Sequence, residues 1–178
     1  MKTTLNKIRK CSPCESGWET LLKYLGKTKA DDAELSLLTI LESNGLDDTL
    51  WCLRAVDGCD RDARLYSVWC ARQVQHLMTD ERSINAIDVA ERFANGEASQ
   101  GELAAASAAA SAAASDAASS AAGDAARAAA SAAAMAAASD AARAAAITAA
   151  WTTTITAQKQ MFIKMCNGEA PWQTGETK

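Results

Sequence analysis

The sequence is poor in nearly everything that catalysis uses. It has a single histidine, His76, two prolines, two tyrosines and two phenylalanines in 178 residues, and aromatic residues make up 5% of the chain. One imidazole rules out histidine clusters as metal sites, and no stretch reads as H-E-x-x-H, as G-x-S-x-G or as a phosphate-cradling glycine loop. Cationic excess is missing as well: 18 Lys and Arg stand against 22 Asp and Glu, a net charge of -4, which speaks against general nucleic-acid binding. No positively charged start leads into an apolar run, and alanine is too weakly apolar to span a bilayer, so a cytosolic, membrane-free protein is expected. No cofactor motif is legible.

What is abundant is alanine. From Leu103 to Ala150 the chain is almost wholly alanine, and a different residue recurs at every fourth position: Ser107, Ser111, Ser115, Ser119, Gly123, Arg127, Ser131, Met135, Ser139, Arg143 and Ile147. Alanine has the highest helix propensity and loses no side-chain entropy on ordering, so helix is predicted here above all. A straight rod from Ser99 to Cys166 would measure roughly 100 Å at 1.5 Å per residue, too long for a body of this size. A break is therefore expected at Gly123-Asp124, where glycine can end one helix and aspartate cap the next, with Ser139-Asp140 as a second site. Asp124 with Arg127, and Asp140 with Arg143, have the spacing of surface ion pairs.

The larger apolar residues lie outside this block. They predict an all-α multi-helix bundle in one domain over residues 1–168, with a Trp/Leu-rich half (1–98) of short helices packed on an alanine-rich half (99–168), followed by a tail (169–178). Trp18, Trp51, Trp69 and Trp151 are the expected centre of the core. Helices are expected over Thr4 to Lys10, from Pro13 or Ser16 to Gly26, and over Ala33 to Ser43 with an αL cap at Asn44-Gly45. Asp47 and Asp48 should open another, Arg61 to Met78 form the central helix, and Asp80 cap the next as far as Gly96. Ser99 with Glu102 has capping-box spacing. The last helix should reach Asn167-Gly168, leaving an extended or frayed end with Trp172 tacked to the body.

Six cysteines, Cys11, Cys14, Cys52, Cys59, Cys70 and Cys166, read as reduced thiols in a chain without a secretion signal. Cys11-Ser-Pro-Cys14 has the spacing of zinc and redox sites, but a second pair and a βαβ context are both lacking, so Ser12 or Pro13 is read as a helix start. His76, near a helix C-terminus among apolar neighbours, reads as structural. Glu42, Asp47 and Asp48 with Arg54, Arg61, Arg64 and Arg72 form either a salt-bridge network or, less simply, a polar site between helices.

The run Leu38-Thr39-Ile40-Leu41-Glu42-Ser43-Asn44-Gly45-Leu46-Asp47-Asp48, with Leu50-Trp51-Cys52-Leu53-Arg54 after it, resembles a segment found in phage and prophage proteins. Val68-Trp69-Cys70-Ala71-Arg72-Gln73-Val74, then Ala86 to Arg92 and Gly96-Glu97, do so too. With the alanine-rich helix behind it, the pattern over most of residues 35 to 166 is similar to the all-helical immunity proteins of bacterial polymorphic-toxin systems. Many of those carry tryptophans within the alanine run where this chain has serine. The resemblance implies a non-enzymatic protein, monomer or homodimer, that neutralises a toxin or a host defence component by occlusion. The exposed, chemically varied residues Asp47, Asp48, Arg54, Asp57, Asp60, Arg61 and Arg64 are the candidate partner-binding set. The alternatives are a self-associating helical module and a small enzyme using His76 or Cys11/Cys14.

Overall fold

The computed structural model describes residues 1–113, 115 and 154–175. The chain divides into two compact units, Met1–Tyr66 with Lys159–Lys178, and Ser67–Gln158. Both are helical, as the apolar periodicity predicts, and the first also holds a two-stranded ribbon.

In the first unit each strand feeds directly into a helix. Strand β1 (Lys2–Thr4) pairs antiparallel with β2 (Glu34–Ser36) in the register Thr3 opposite Leu35, and these two side chains are buried. Thr4 then caps α1 (Leu5–Lys10) by accepting from Lys7 N at 3.2 Å. Ser36 caps α3 (Leu37–Asn44) by accepting from Leu38 N, also at 3.2 Å. The ribbon corrects the expected helix from Ala33. Leu35 belongs to a strand whose partner lies some thirty residues earlier, and three residues are too few to display a period of two.

Helix α2 (Glu15–Tyr24) starts one residue after Cys14, not at Ser12 or Pro13. Ser12 takes a φ of +57°, so the Cys11-to-Cys14 link is a sharp turn between α1 and α2. Gly45, with φ +83° and ψ -177°, ends α3 and starts α4 (Leu46–Cys52) at once. It is not the αL cap expected, though its conformation is equally one that glycine adopts without a Cβ penalty. Asp47 and Asp48 occupy the first turn of α4.

The core of this unit is aliphatic. Leu5, Ile8, Leu37, Ile40, Phe162 and Met165 are each no more than 1% exposed, and Phe162 meets the Tyr66 ring edge-on, with centroids 5.8 Å apart. The expected tryptophan centre is displaced: Trp18, Trp51 and Trp69 are half-buried, and Trp151 lies outside the described residues. An indole carries an N–H that must be satisfied, so it sits more easily at a margin than in an aliphatic interior. Helix α8 (154–167) brings in Phe162 and Met165. Beyond it, where an extended end was expected, Pro171–Thr174 form a turn of helix, α9. Ala170 is fully buried, and Trp172 Nε1 donates to Asp62 Oδ1 at 3.0 Å.

Helix α5 (Asp60–Val74) closes with a 3-10 turn, Gln75–Leu77, instead of continuing as α-helix to Met78. In the second unit α6 (Glu81–Ala94) is capped by Asp80, which accepts from Arg82 N at 2.9 Å. Helix α7 (100–113) begins with the capping box: Ser99 Oγ accepts from Glu102 N at 3.2 Å, and Glu102 Oε2 accepts from Ser99 N at 2.8 Å. Ala106 and Ala113, seven residues apart, are buried while Ser107 and Ser111 are exposed, so the serine ladder faces outward on this stretch. The proposed breaks at Gly123-Asp124 and Ser139-Asp140, and the Asp124–Arg127 and Asp140–Arg143 pairs, lie outside the described residues.

Candidate functional site

The feature of the first unit best suited to molecular contact is a recess of about 140 Å³ between α1, α2, α3 and α4. Its walls are Ile8, Leu21, Ile40, Cys52 and Pro13, with the two tryptophans Trp18 and Trp51. A cavity of about 150 Å³ admits one benzene-sized ring, whereas sites for drug-sized ligands start near 300 Å³. The recess therefore suits one side chain or one ring.

Each of the two tryptophan rings has an arginine against it. The Arg54 guanidinium lies 4.4 Å from the centroid of Trp51, and its Nε donates to the Trp51 carbonyl at 3.0 Å. Arg9 stands 5.9 Å from the Trp18 centroid. Such pairs fix ring orientation, contribute roughly 0.5–1 kcal/mol at exposed positions and place positive charge against the walls.

One edge of the recess is polar. Asn44 Nδ2 donates both to the Gly17 carbonyl, at 2.8 Å, and to Asp48 Oδ2, at 2.9 Å, tying the start of α4 to α2. Glycine at position 17 leaves room for this approach. A Cβ at position 17 would stand 2.8 Å from Asp48 Oδ2 and 3.1 Å from Cys14 Sγ. Asp48 Oδ1 accepts no hydrogen bond among the described residues, so the recess keeps one acceptor with capacity to spare.

The thiols fall into two groups. Burial first, and the neighbouring Asp48 carboxylate second, push the Cys52 pKa up to about 12; burial pushes Cys166 up to about 11 and Cys59 upward. These three remain protonated near neutrality and behave as packing groups. Cys14 is exposed at the mouth of the recess, 3.8 Å from Ser16 Oγ, and the Cys11 thiol points at the Arg54 carbonyl at 3.8 Å. Among the described residues, no three His, Cys, Asp or Glu side chains gather as metal ligands.

Of the candidate partner-binding set, Asp48 lines the recess and Arg54 braces its wall, while Asp47 is exposed one residue before Asp48. Asp57 pairs with Lys7 at 2.5 Å, Asp60 is exposed at the start of α5, Arg61 donates to the Trp172 carbonyl at 3.5 Å, and Arg64 is exposed. Two members of the larger polar cluster have partners of their own. Glu42 accepts from the Tyr24 hydroxyl at 3.2 Å, a bond that raises the Tyr24 pKa, whereas Arg72, in the second unit, bridges Asp88 at 2.8 Å and Glu91 at 2.5 Å. His76 is exposed on the 3-10 turn, not enclosed by apolar neighbours as expected.

Gly17, Trp18 and Asn44 carry no functional motif in the sequence, and Cys14 is marked there by its spacing from Cys11. One signal is legible: a glycine inside a helical pattern, which marks a close approach. Nothing in the sequence pairs Arg9 with Trp18. Among the described residues no helix is long and apolar enough to cross a membrane. Comparison with protein-family models, with curated proteins and with solved structures finds no match for this chain.

Proposed function

We propose that this chain is a non-enzymatic binding protein of the phage or prophage kind, acting in the bacterial cytosol, which neutralises a toxin or a host defence component by occluding one of its functional surfaces. The observation that carries this reading is the tryptophan-walled recess, sized for a single ring and braced by Arg9 and Arg54. Interfaces draw most of their affinity from a few anchors, enriched in Trp, Tyr and Arg, that fill desolvated pockets. A recess of this kind receives one anchor from a partner, and the varied charges of Asp47, Asp57, Asp60, Arg61 and Arg64 are further candidates for polar contact on the same unit.

Affinity capture from bacterial lysate, with wild type and Trp51→Ala side by side, tests the reading. The expected result is a defined protein retained by the wild type and reduced at least tenfold by the variant. Capture of no specific protein by the wild type contradicts it.

A further inference from the structure

We infer that the recess between α1, α2, α3 and α4 is a site for a phenolic ring, the side-chain chemistry of tyrosine, with the ring between the apolar walls and the hydroxyl donating to Asp48 Oδ1. The inference rests on the binding-protein reading for its biological source, a tyrosine of the partner, but the chemistry is a property of the recess itself. Volume sets the first limit: about 140 Å³ takes a six-membered ring. Polarity sets the second. The lining is apolar except for one edge, and there Asp48 Oδ2 is engaged by Asn44 while Oδ1 accepts nothing among the described residues. A carboxylate oxygen with a free lone pair calls for a donor, and O–H···O⁻ bonds are among the stronger ones available.

Charge sets the third limit. An aromatic-walled pocket with one carboxylate is also the usual arrangement for an ammonium group. Here, however, Trp51 and Trp18 each already carry a guanidinium, 4.4 and 5.9 Å from the ring centroids. A further cation would be repelled by both, whereas a neutral ring is not. A plain hydrocarbon ring would leave the carboxylate oxygen without a donor at the edge of an apolar space, which is costly.

The test is a titration of the full chain labelled with 15N, following the indole N–H signals of Trp18 and Trp51, assigned through W18F and W51F, with three probes: p-cresol, toluene and benzyltrimethylammonium. The expected order is p-cresol about tenfold tighter than toluene, equivalent to one charge-assisted hydrogen bond of about 1.4 kcal/mol, with the ammonium weakest. Asp48→Asn, which keeps the shape and removes the charge, should cut the p-cresol preference to threefold or less. Gly17→Ala, which favours helix while its Cβ displaces the Asp48 carboxylate, should do the same with the fold retained. Equal affinity for p-cresol and toluene, tighter binding of the ammonium, or no shift of either indole signal overturns the inference. None of these results bears on lysate capture, so the partner reading and the phenol assignment fail separately.

Discussion

Gly17 shows how much of the recess hangs on one missing methyl group. Replacing glycine by alanine within a helix gains up to about 1 kcal/mol, but here it forces the Asp48 carboxylate off Asn44, losing a charge-assisted bond of similar size. Gly17→Ala should therefore change the urea midpoint little, and a loss above about 2 kcal/mol would mean that the Asn44 bridge holds α2 and α4 together more strongly than that balance allows. Cysteine reactivity follows burial in the same way. Iodoacetamide at neutral pH should modify Cys14 first and spare Cys52, Cys59 and Cys166, as read by mass spectrometry of peptides. Cys52 also has a pH consequence. Its folded pKa of about 12 lies above the ordinary thiol value of 9.0, so the unfolded chain loses this proton first as pH rises. The Cys52 contribution is intact below about pH 9 and is lost progressively toward pH 12. Cys52→Ala should flatten the alkaline decline in stability over that window, and an identical decline in wild type and variant would refute the assignment.

Among the elements, caps are where the sequence is most readable. Asp80, Ser99 with Glu102, and the acidic first turn of α4 all stand where residue type and spacing placed them, because a cap depends on atoms within three residues. Asp80→Ala should cost about 1 kcal/mol by denaturant titration; a cost near zero would mean that tertiary contacts alone hold the start of α6. The unread elements depend on distant partners. β1 needs β2, α9 needs Asp62 and a buried Ala170, and the recess needs Asn44 on α3 to reach Gly17 on α2. None of these leaves a periodic trace in its own segment. The half-buried tryptophans are hard to read for a related reason: ring size alone points to a centre, while the arginines beside Trp18 and Trp51 come from positions that no local pattern pairs with them.

For the whole molecule, the proposed reading separates the residues of stability from those of recognition. Leu37 and Phe162 are fully buried and belong to the core of the first unit; Leu37→Ala and Phe162→Ala should each cost roughly 2–5 kcal/mol, a large fraction of the stability of a small domain. Trp51, half-buried at the recess, should cost less when truncated and abolish capture instead. The central claim is that activity resides in contact through this recess. Cys14 offers the test, because it sits at the mouth and is the exposed cysteine among the described residues, and a Cys11→Ser/Cys70→Ser background removes the two half-buried thiols that would compete for the label. The measurement is the amount of captured partner retained by this variant before and after alkylation with N-benzylmaleimide. At least a tenfold loss is expected once the benzyl group occupies the recess, and equal retention by the labelled and unlabelled proteins would show that the recess is not the contact surface.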